Sequence, residues 1–308
     1  MPVQAGRRDA CAWQLARPPE GGGLAAAQAF CRRVAASHYE NFTVATRLVP
    51  PRLRQHLANV YAYARWSDDL ADEATSAEQA ASDLAAWRRE LEDCFAGRPG
   101  HPVFVALADT VSRARLRIEP FAHLLDAFQQ DQVVTSYATR DELLGYCRRS
   151  ADPVGRIVLA LEGCHDAELV AMSDSICTGL QLVNFWQDVK RDRLAGRVYL
   201  PQEDMRRHDV ADTMLDAAAA GPELRGLLRD EVAWARECFD AGAALAEAAP
   251  AVLRPAIGLF LAGGRAVADA IERQGFDTLS RRPRLGRWRK MRLGWAAWRA
   301  TLTAGGRG

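Results

Sequence analysis

Residues 59–74 read NVYAYARWSDDLADEA. The stretch has apolar residues at helical spacing and no helix breaker, yet DDLADE at 68–73 puts four carboxylates into six positions. Asp68 with Asp72, and Asp69 with Glu73, stand four apart, so like charges face each other along a helix surface. Each such pair costs about 0.2–0.5 kcal/mol in an isolated helix. A helix carrying that strain calls for something positive against it. Tyr61, Arg65, Asp68 and Asp72 are spaced 4, 3 and 4 and share one face, with Leu57, Val60 and Ala64 supplying apolar surface beside them.

A counterpart lies at 180–192, LQLVNFWQDVKRD. Gln181, Asn184, Asp188 and Asp192 are spaced 3, 4 and 4, while Leu182, Phe185, Trp186 and Val189 fall mainly on other faces. Two long helices, each with a carboxylate-bearing stripe, are candidates to face one another across a cavity. The chemistry that needs this arrangement is magnesium-diphosphate binding. Mg²⁺ prefers octahedral oxygen coordination, keeps several waters, and takes one or two carboxylates plus substrate phosphates. Each acidic run alone reads as a solvated face; together, in an all-α chain, they favour the metal.

Composition supports that setting. The 308 residues are 49% hydrophobic, enough for a sizeable core, and are rich in the helix-forming Ala, Leu, Arg and Glu. No alternating Val/Ile/Tyr-rich run reads as a strand. The net charge of +1 creates no field to recruit nucleic acid, so no nucleic-acid partner is expected. The seven cysteines, Cys11, Cys31, Cys94, Cys147, Cys164, Cys177 and Cys238, are scattered singly. With no secretory signal, they fit reduced thiols in a cytoplasmic protein. No apolar run approaches the ~18 residues of a membrane span. No glycine-rich fingerprint follows a strand, so no redox nucleotide is expected.

Helical periodicity begins near Leu24, after Gly21, Gly22 and Gly23, which makes residues 1–23 a flexible N-terminal tail. Pro50 and Pro51 open a helix running to about Ala74, and Ser76 caps the next, which ends near Gly97. Further helices fit roughly 101–115, 119–135, 140–162, 166–193, 222–247 and 251–274, with Pro153 expected to kink or break its own. The expected organisation is a single all-helical domain over 24–302 and a C-terminal tail at 303–308.

At this point the chain resembles the squalene/phytoene synthase family, the head-to-head isoprenoid synthases, from about residue 37 to 293. The resemblance is carried by RLVPPRLRQHLANVYAYARWSDDLADE, YCRRSADPVGRIVL, LQLVNFWQDVKRDRLAGRVYLP and IERQGFDTLSRRPRL, in that order. It implies an all-α isoprenoid synthase bundle around a central, largely apolar cavity, its mouth lined by the two acidic helices. It also implies Mg²⁺ held by Asp68, Asp72, Asn184, Asp188 and Asp192. Asp68, Asp72, Asp188 and Asp192 would then be catalytic, with Tyr146 near the reacting carbons. Tyr61, Arg65, Gln181 and Tyr199 match positions that bind diphosphate or shape its site, and His38, Glu40 and Asn41 join Tyr146 as candidates to place a water. On the residues alone, Tyr61, Tyr146 and Tyr199 also read as core-edge tyrosines, and Arg65 as a partner of Asp69.

Three departures bear on the substrate. Gln187 stands where the family often has a basic residue, Glu40 stands in SHYENF where a lysine can occur, and ADPVG replaces Ala-Gly-x-Val-Gly. Fewer cations beside the site are expected to weaken binding of a second diphosphate. SHYENF, NFWQD and YCRRSADPVG most resemble the branch serving bacterial hopanoid biosynthesis. That implies one substrate, presqualene diphosphate, ionised and captured by water, with other hopanoid-pathway enzymes as partners. The alternatives are condensation of two prenyl diphosphates and, from another class, a non-catalytic scaffold; a metal-free lipid carrier would not need two acidic stripes. Leu285, Trp288, Met291, Trp295 and Trp298 form one stripe, with Arg284, Arg287 and Lys290 around it. It reads either as a terminal helix packed on the domain or as an interfacial helix holding the protein at the inner face of the plasma membrane.

Overall fold

The structure, a computed structural model, describes residues 23–37 and 48–286. His38, Glu40, Asn41 and the Trp288–Trp298 part of the C-terminal stripe lie outside the described residues. The elements are α1 (Leu24–Ser37), α2 (Pro51–Asp72), α3 (Ala77–Phe95), α4 (Pro102–Ala114), α5 (Glu119–Gln130) and α6 (Arg140–Ser150). They continue with α7 (Asp152–Ala160), α8 (Ala167–Leu194), α9 (Gln202–Arg207), a 3-10 turn (Asp212–Asp216), α10 (Pro222–Gly242), α11 (Leu245–Ala248) and α12 (Arg254–Arg273). The all-α expectation holds. The described residues contain no strand beyond one isolated parallel bridge, Ser136 to Val198.

Local signals set most boundaries. Pro51 opens α2, and the Ser76 hydroxyl accepts the Gln79 N–H at 3.2 Å to start α3. Asp166 caps α8, its Oδ1 accepting from the N–H groups of Glu168 (2.9 Å) and Leu169 (3.0 Å). The helix expected over 140–162 divides at Ala151, immediately before the Asp152-Pro153 start of α7. Two expected helices are shorter than their periodicity suggests. The one starting at Glu119 stops at Gln130, because the following backbone is used elsewhere: Thr135, Tyr137 and Ala138 carbonyls accept from Val198 (2.7 Å), Gln202 (3.0 Å) and Glu203 (3.0 Å). The helix from Pro222 stops at Gly242, where a Cβ would lie 2.5 Å from the Met172 carbonyl of α8. The sequence pattern missed α9 and the 3-10 turn.

Packing then fixes which face each acidic helix offers. The helix α2 lies against α1, α3, α4 and α5, whereas α8 lies against α6, α7, α10 and α12. α5 and α6 join the two halves. On α2 the buried face includes a polar row: Asn59 donates to the Ala106 carbonyl and Thr110 hydroxyl (both 2.9 Å), and Tyr63 to the Phe121 carbonyl (2.8 Å). Ser67 accepts from the Trp87 indole at 3.0 Å. Satisfied buried hydrogen bonds hold a helix in one rotation, since each would be costly to leave unmade. On α8, fully buried Trp186 donates to the Glu231 carbonyl at 3.0 Å beside buried Leu182 and Val189. Both helices are thereby rolled so that their carboxylates face the space between them.

A buried ionic group ties α6, α9 and α10. Arg140 donates to Asp204 (2.7 Å) and Glu231 (3.2 Å) and lies over Trp234, 4.6 Å from the ring centroid. Arg207 holds the other Asp204 oxygen at 2.6 Å. No described helix is long and apolar enough to cross a membrane. The described cysteines are all free thiols.

Candidate active site

A cavity of about 580 Å³ opens between α2 and α8, with α5 and α6 in its wall. Asp68 and Asp72 reach it from α2, and Gln181, Asn184, Asp188 and Asp192 from α8. Tyr146 and Tyr199 line it as well. Tyr61 and Arg65 do not. Arg65 is held back by its own helix, pairing with Asp68 at 3.1 Å and with Asp69, so the local-pair reading is the one observed. That pairing also offsets part of the strain in DDLADE before any metal is considered.

Several lining residues escaped the sequence. Asp131 caps the C-terminal end of α5; Ser150 ends α6; Arg191 and Arg197 flank the second acidic stripe. The bridge between residues 136 and 198 brings Arg197 and Tyr199 alongside the Asp131 segment, so Arg197 Nη2 lies 3.5 Å from the Asp131 carbonyl and 4.0 Å from Asp72. Arg282 arrives from the segment after α12. Asp277 anchors that segment by accepting from Ala220 (2.9 Å) and Ser280 (3.1 Å). The Arg282 guanidinium then grips Asp188 through both nitrogens, with Nη2 to Oδ2 at 2.8 Å, and also donates to Gln187 at 3.1 Å. Arg191 and Arg197 had a visible signal, since both fall within the second motif. Asp131 had none.

These arginines correct one expectation. The site is not poor in cations: Gln187 lacks a charge, but Arg282 sits on its side-chain oxygen. A second correction concerns the lining. Leu124, Ala127, Phe128 and Phe185 form apolar wall and Asp68, Asp72, Asp188 and Asp192 line it as the resemblance implied, but Asp131, Arg191 and Arg197 add charge that it did not.

One side of the cavity is aromatic. Phe185 stacks on Tyr199 at 3.8 Å, and the Tyr199 ring lies 5.9 Å from Tyr137 and 6.0 Å from Tyr146. The Tyr146 hydroxyl donates to Asp131 Oδ2 at 2.9 Å. Burial, then the charge of Asp131, holds the Tyr146 phenol far above its ordinary value, so it acts as a donor. Burial raises Asp131 to about 6, against the Tyr146 hydrogen bond and Arg197, with Asp72 adding to the rise. Burial, then the charge of Asp188, raises Asp192 to about 7 despite Arg191, Arg197 and Arg282.

The donor set suits a hard divalent cation. Among the described residues, no three His, Cys, Asp or Glu side chains are close enough to enclose one ion. Mg²⁺ needs no such cage, because it keeps waters and completes its shell with phosphate oxygens. Burial and the neighbouring Asp188 charge both disfavour an ionised Asp192, and a cation bound between them would offset that cost.

A helical bundle with aspartates from two helices around a common cavity defines an isoprenoid synthase, and the comparisons with known proteins agree. Residues 35–289 match the squalene/phytoene synthase family, and the chain belongs to it. Its chemistry is therefore of the head-to-head prenyl diphosphate type, a class that uses Mg²⁺. Phytoene synthase of Arthrospira platensis is 32% identical over 280 residues, covering 85% of this chain and 89% of that protein. The crystal structure of squalene synthase HpnC from Alicyclobacillus acidocaldarius is 40% identical, covers 82% of this chain and 95% of its own, and superposes with a TM-score of 0.79. A dehydrosqualene synthase structure is 25% identical with a TM-score of 0.82, over 91% of this chain and 98% of its own.

Proposed function

We propose that the protein is a hydroxysqualene synthase, converting presqualene diphosphate and water to hydroxysqualene and diphosphate. The observation that supports the C30 substrate class is the 40% identity to a squalene synthase structure over 82% of this chain. Water as the acceptor rests on the hopanoid-branch resemblance of SHYENF, NFWQD and YCRRSADPVG.

Asp68 and Asp72 on one side, with Asn184, Asp188 and Asp192 on the other, would hold Mg²⁺. Bound there, Mg²⁺ supplies Lewis-acid stabilisation of the charge on the departing diphosphate. The chain's own cations act on the same group: Arg197 and Arg191 line the cavity and can donate to diphosphate oxygens. Gln181 lies one turn before Asn184 and orients the polar end of the substrate. Phe185, Tyr146 and Tyr199 line the cavity as an aromatic wall, whose attraction for a carbocation would stabilise it, and they limit stray water. His38 and Asn41 remain proposed substrate-binding residues by resemblance.

Condensation of two prenyl diphosphates is the second reading, favoured by Arg191, Arg197 and Arg282 around the site. Purified protein with Mg²⁺ should convert presqualene diphosphate to an alcohol and farnesyl diphosphate to little or no product, as weighed by mass spectrometry. Efficient formation of presqualene diphosphate from farnesyl diphosphate, or of phytoene from geranylgeranyl diphosphate, would replace the first reading with the second.

A further inference from the structure

We infer that Asp131, anchored by Tyr146, is the group that positions the capturing water and accepts its proton. The role rests on water being the acceptor, as proposed above. Asp131 belongs to neither acidic stripe, and three observations single it out. It lines the cavity from the C-terminal end of α5, where the helix dipole disfavours a carboxylate and makes it more basic. Its Oδ2 is committed to the Tyr146 hydroxyl at 2.9 Å. Its Oδ1 is buried and accepts no hydrogen bond from the protein. A buried carboxylate oxygen without a donor is costly, and this one belongs to a residue of the cavity wall, so it is suited to a donor that enters from the cavity. Water is that donor.

The neighbours restrict the alternatives. Tyr146, Tyr137 and Tyr199 face the same region, and burial keeps all three phenols protonated, so none can serve as the base. Asp72 lies across the site, and Arg197 approaches Asp131 through its backbone carbonyl. The aromatic wall that would hold the cation includes Tyr146 itself, which puts the carboxylate beside the carbon to be captured. In the step, the carbon–oxygen bond to diphosphate breaks and its electron pair leaves with diphosphate. A lone pair of water forms the new carbon–oxygen bond, and a water proton moves to Asp131 Oδ1 and then to solvent. Substrate plus water gives alcohol, diphosphate and one proton, with no change of oxidation state.

The test is a ratio. Full-length protein and Asp131→Asn are incubated with presqualene diphosphate and Mg²⁺, and alcohol formed is measured per diphosphate released. General-base assistance contributes about 10²–10⁴-fold to a proton-transfer step. The expected ratio in Asp131→Asn is therefore at least tenfold lower, with hydrocarbon products of proton loss or rearrangement replacing the alcohol. Tyr146→Phe keeps the carboxylate but releases its anchor, and is expected to lower the ratio about threefold; it serves if Asp131→Asn does not fold. An unchanged ratio in a folded Asp131→Asn, or in Tyr146→Phe where that variant alone folds, overturns the inference. Wild-type protein that releases diphosphate without forming alcohol overturns the water-capture reading instead, and this inference falls with it.

Discussion

Asp188→Asn is expected to lower turnover by about a thousandfold while leaving the protein folded. Asp188 is the buried member of the second stripe, its side chain 6% exposed, and it stands one turn from both Asn184 and Asp192. The change removes one negative charge and keeps the shape. Metal-assisted stabilisation of a leaving phosphoryl oxygen is worth several kcal/mol, and each ~1.4 kcal/mol is a factor of ten in rate. Fold stability should suffer little. The Arg282 side chain of the ion pair is 41% exposed, so the pair contributes little net energy. Burial does most to raise Asp192, and losing the Asp188 charge removes the repulsion that adds to it. Diphosphate release and thermal unfolding on the same preparation check both halves. Near-normal turnover would remove Asp188 from the metal site.

Arg140→Ala is expected to lower stability markedly. Asp204 and Glu231 are both 0% exposed; the 31% exposed Arg140 pairs with the Asp204 charge and donates to Glu231. Removing one partner of a buried pair typically costs about 3–5 kcal/mol. Partial exposure of Arg140 and the remaining Arg207–Asp204 bond reduce this to about 2–3 kcal/mol, a fall in melting temperature of roughly 4–10 °C. The same group sets a pH dependence. Burial raises the Glu231 carboxyl from 4.5 to about 8, so the folded chain holds a proton there that the unfolded chain has released. That contribution is fully present below pH 4.5 and is lost as pH rises through about 8. Glu231→Gln should flatten that decline in a melting series from pH 5 to 9. An unchanged slope would show that Glu231 does not cause it.

Both acidic stripes were legible because an α-helix repeats its faces in a way that spacing alone reveals. The turn and cap residues Pro51, Ser76 and Pro153 were legible for the same local reason. What could not be read was anything settled by long-range packing. Asn59, Tyr63 and Ser67 form a buried polar row on α2 whose partners come from α3, α4 and α5. Asp131 carries no periodic signal, because its place in the wall depends on α5 ending where residues 135–138 pair with 198–203. Arg282 was visible in the matched C-terminal stretch, but its grip on Asp188 spans 94 residues of sequence. Arg65 shows a local effect instead: two of its guanidinium nitrogens pair with Asp68 and Asp69 of its own helix, while its buried Nε keeps no partner.

The most direct test is the Mg²⁺ dependence of diphosphate release from presqualene diphosphate by metal-stripped protein. The account predicts no release in chelator, recovery on adding Mg²⁺, and loss of that recovery when either Asp72 or Asp188 is changed to Asn. Metal-independent release, or full recovery in both variants, would mean that these two rows of carboxylates do not carry the reaction.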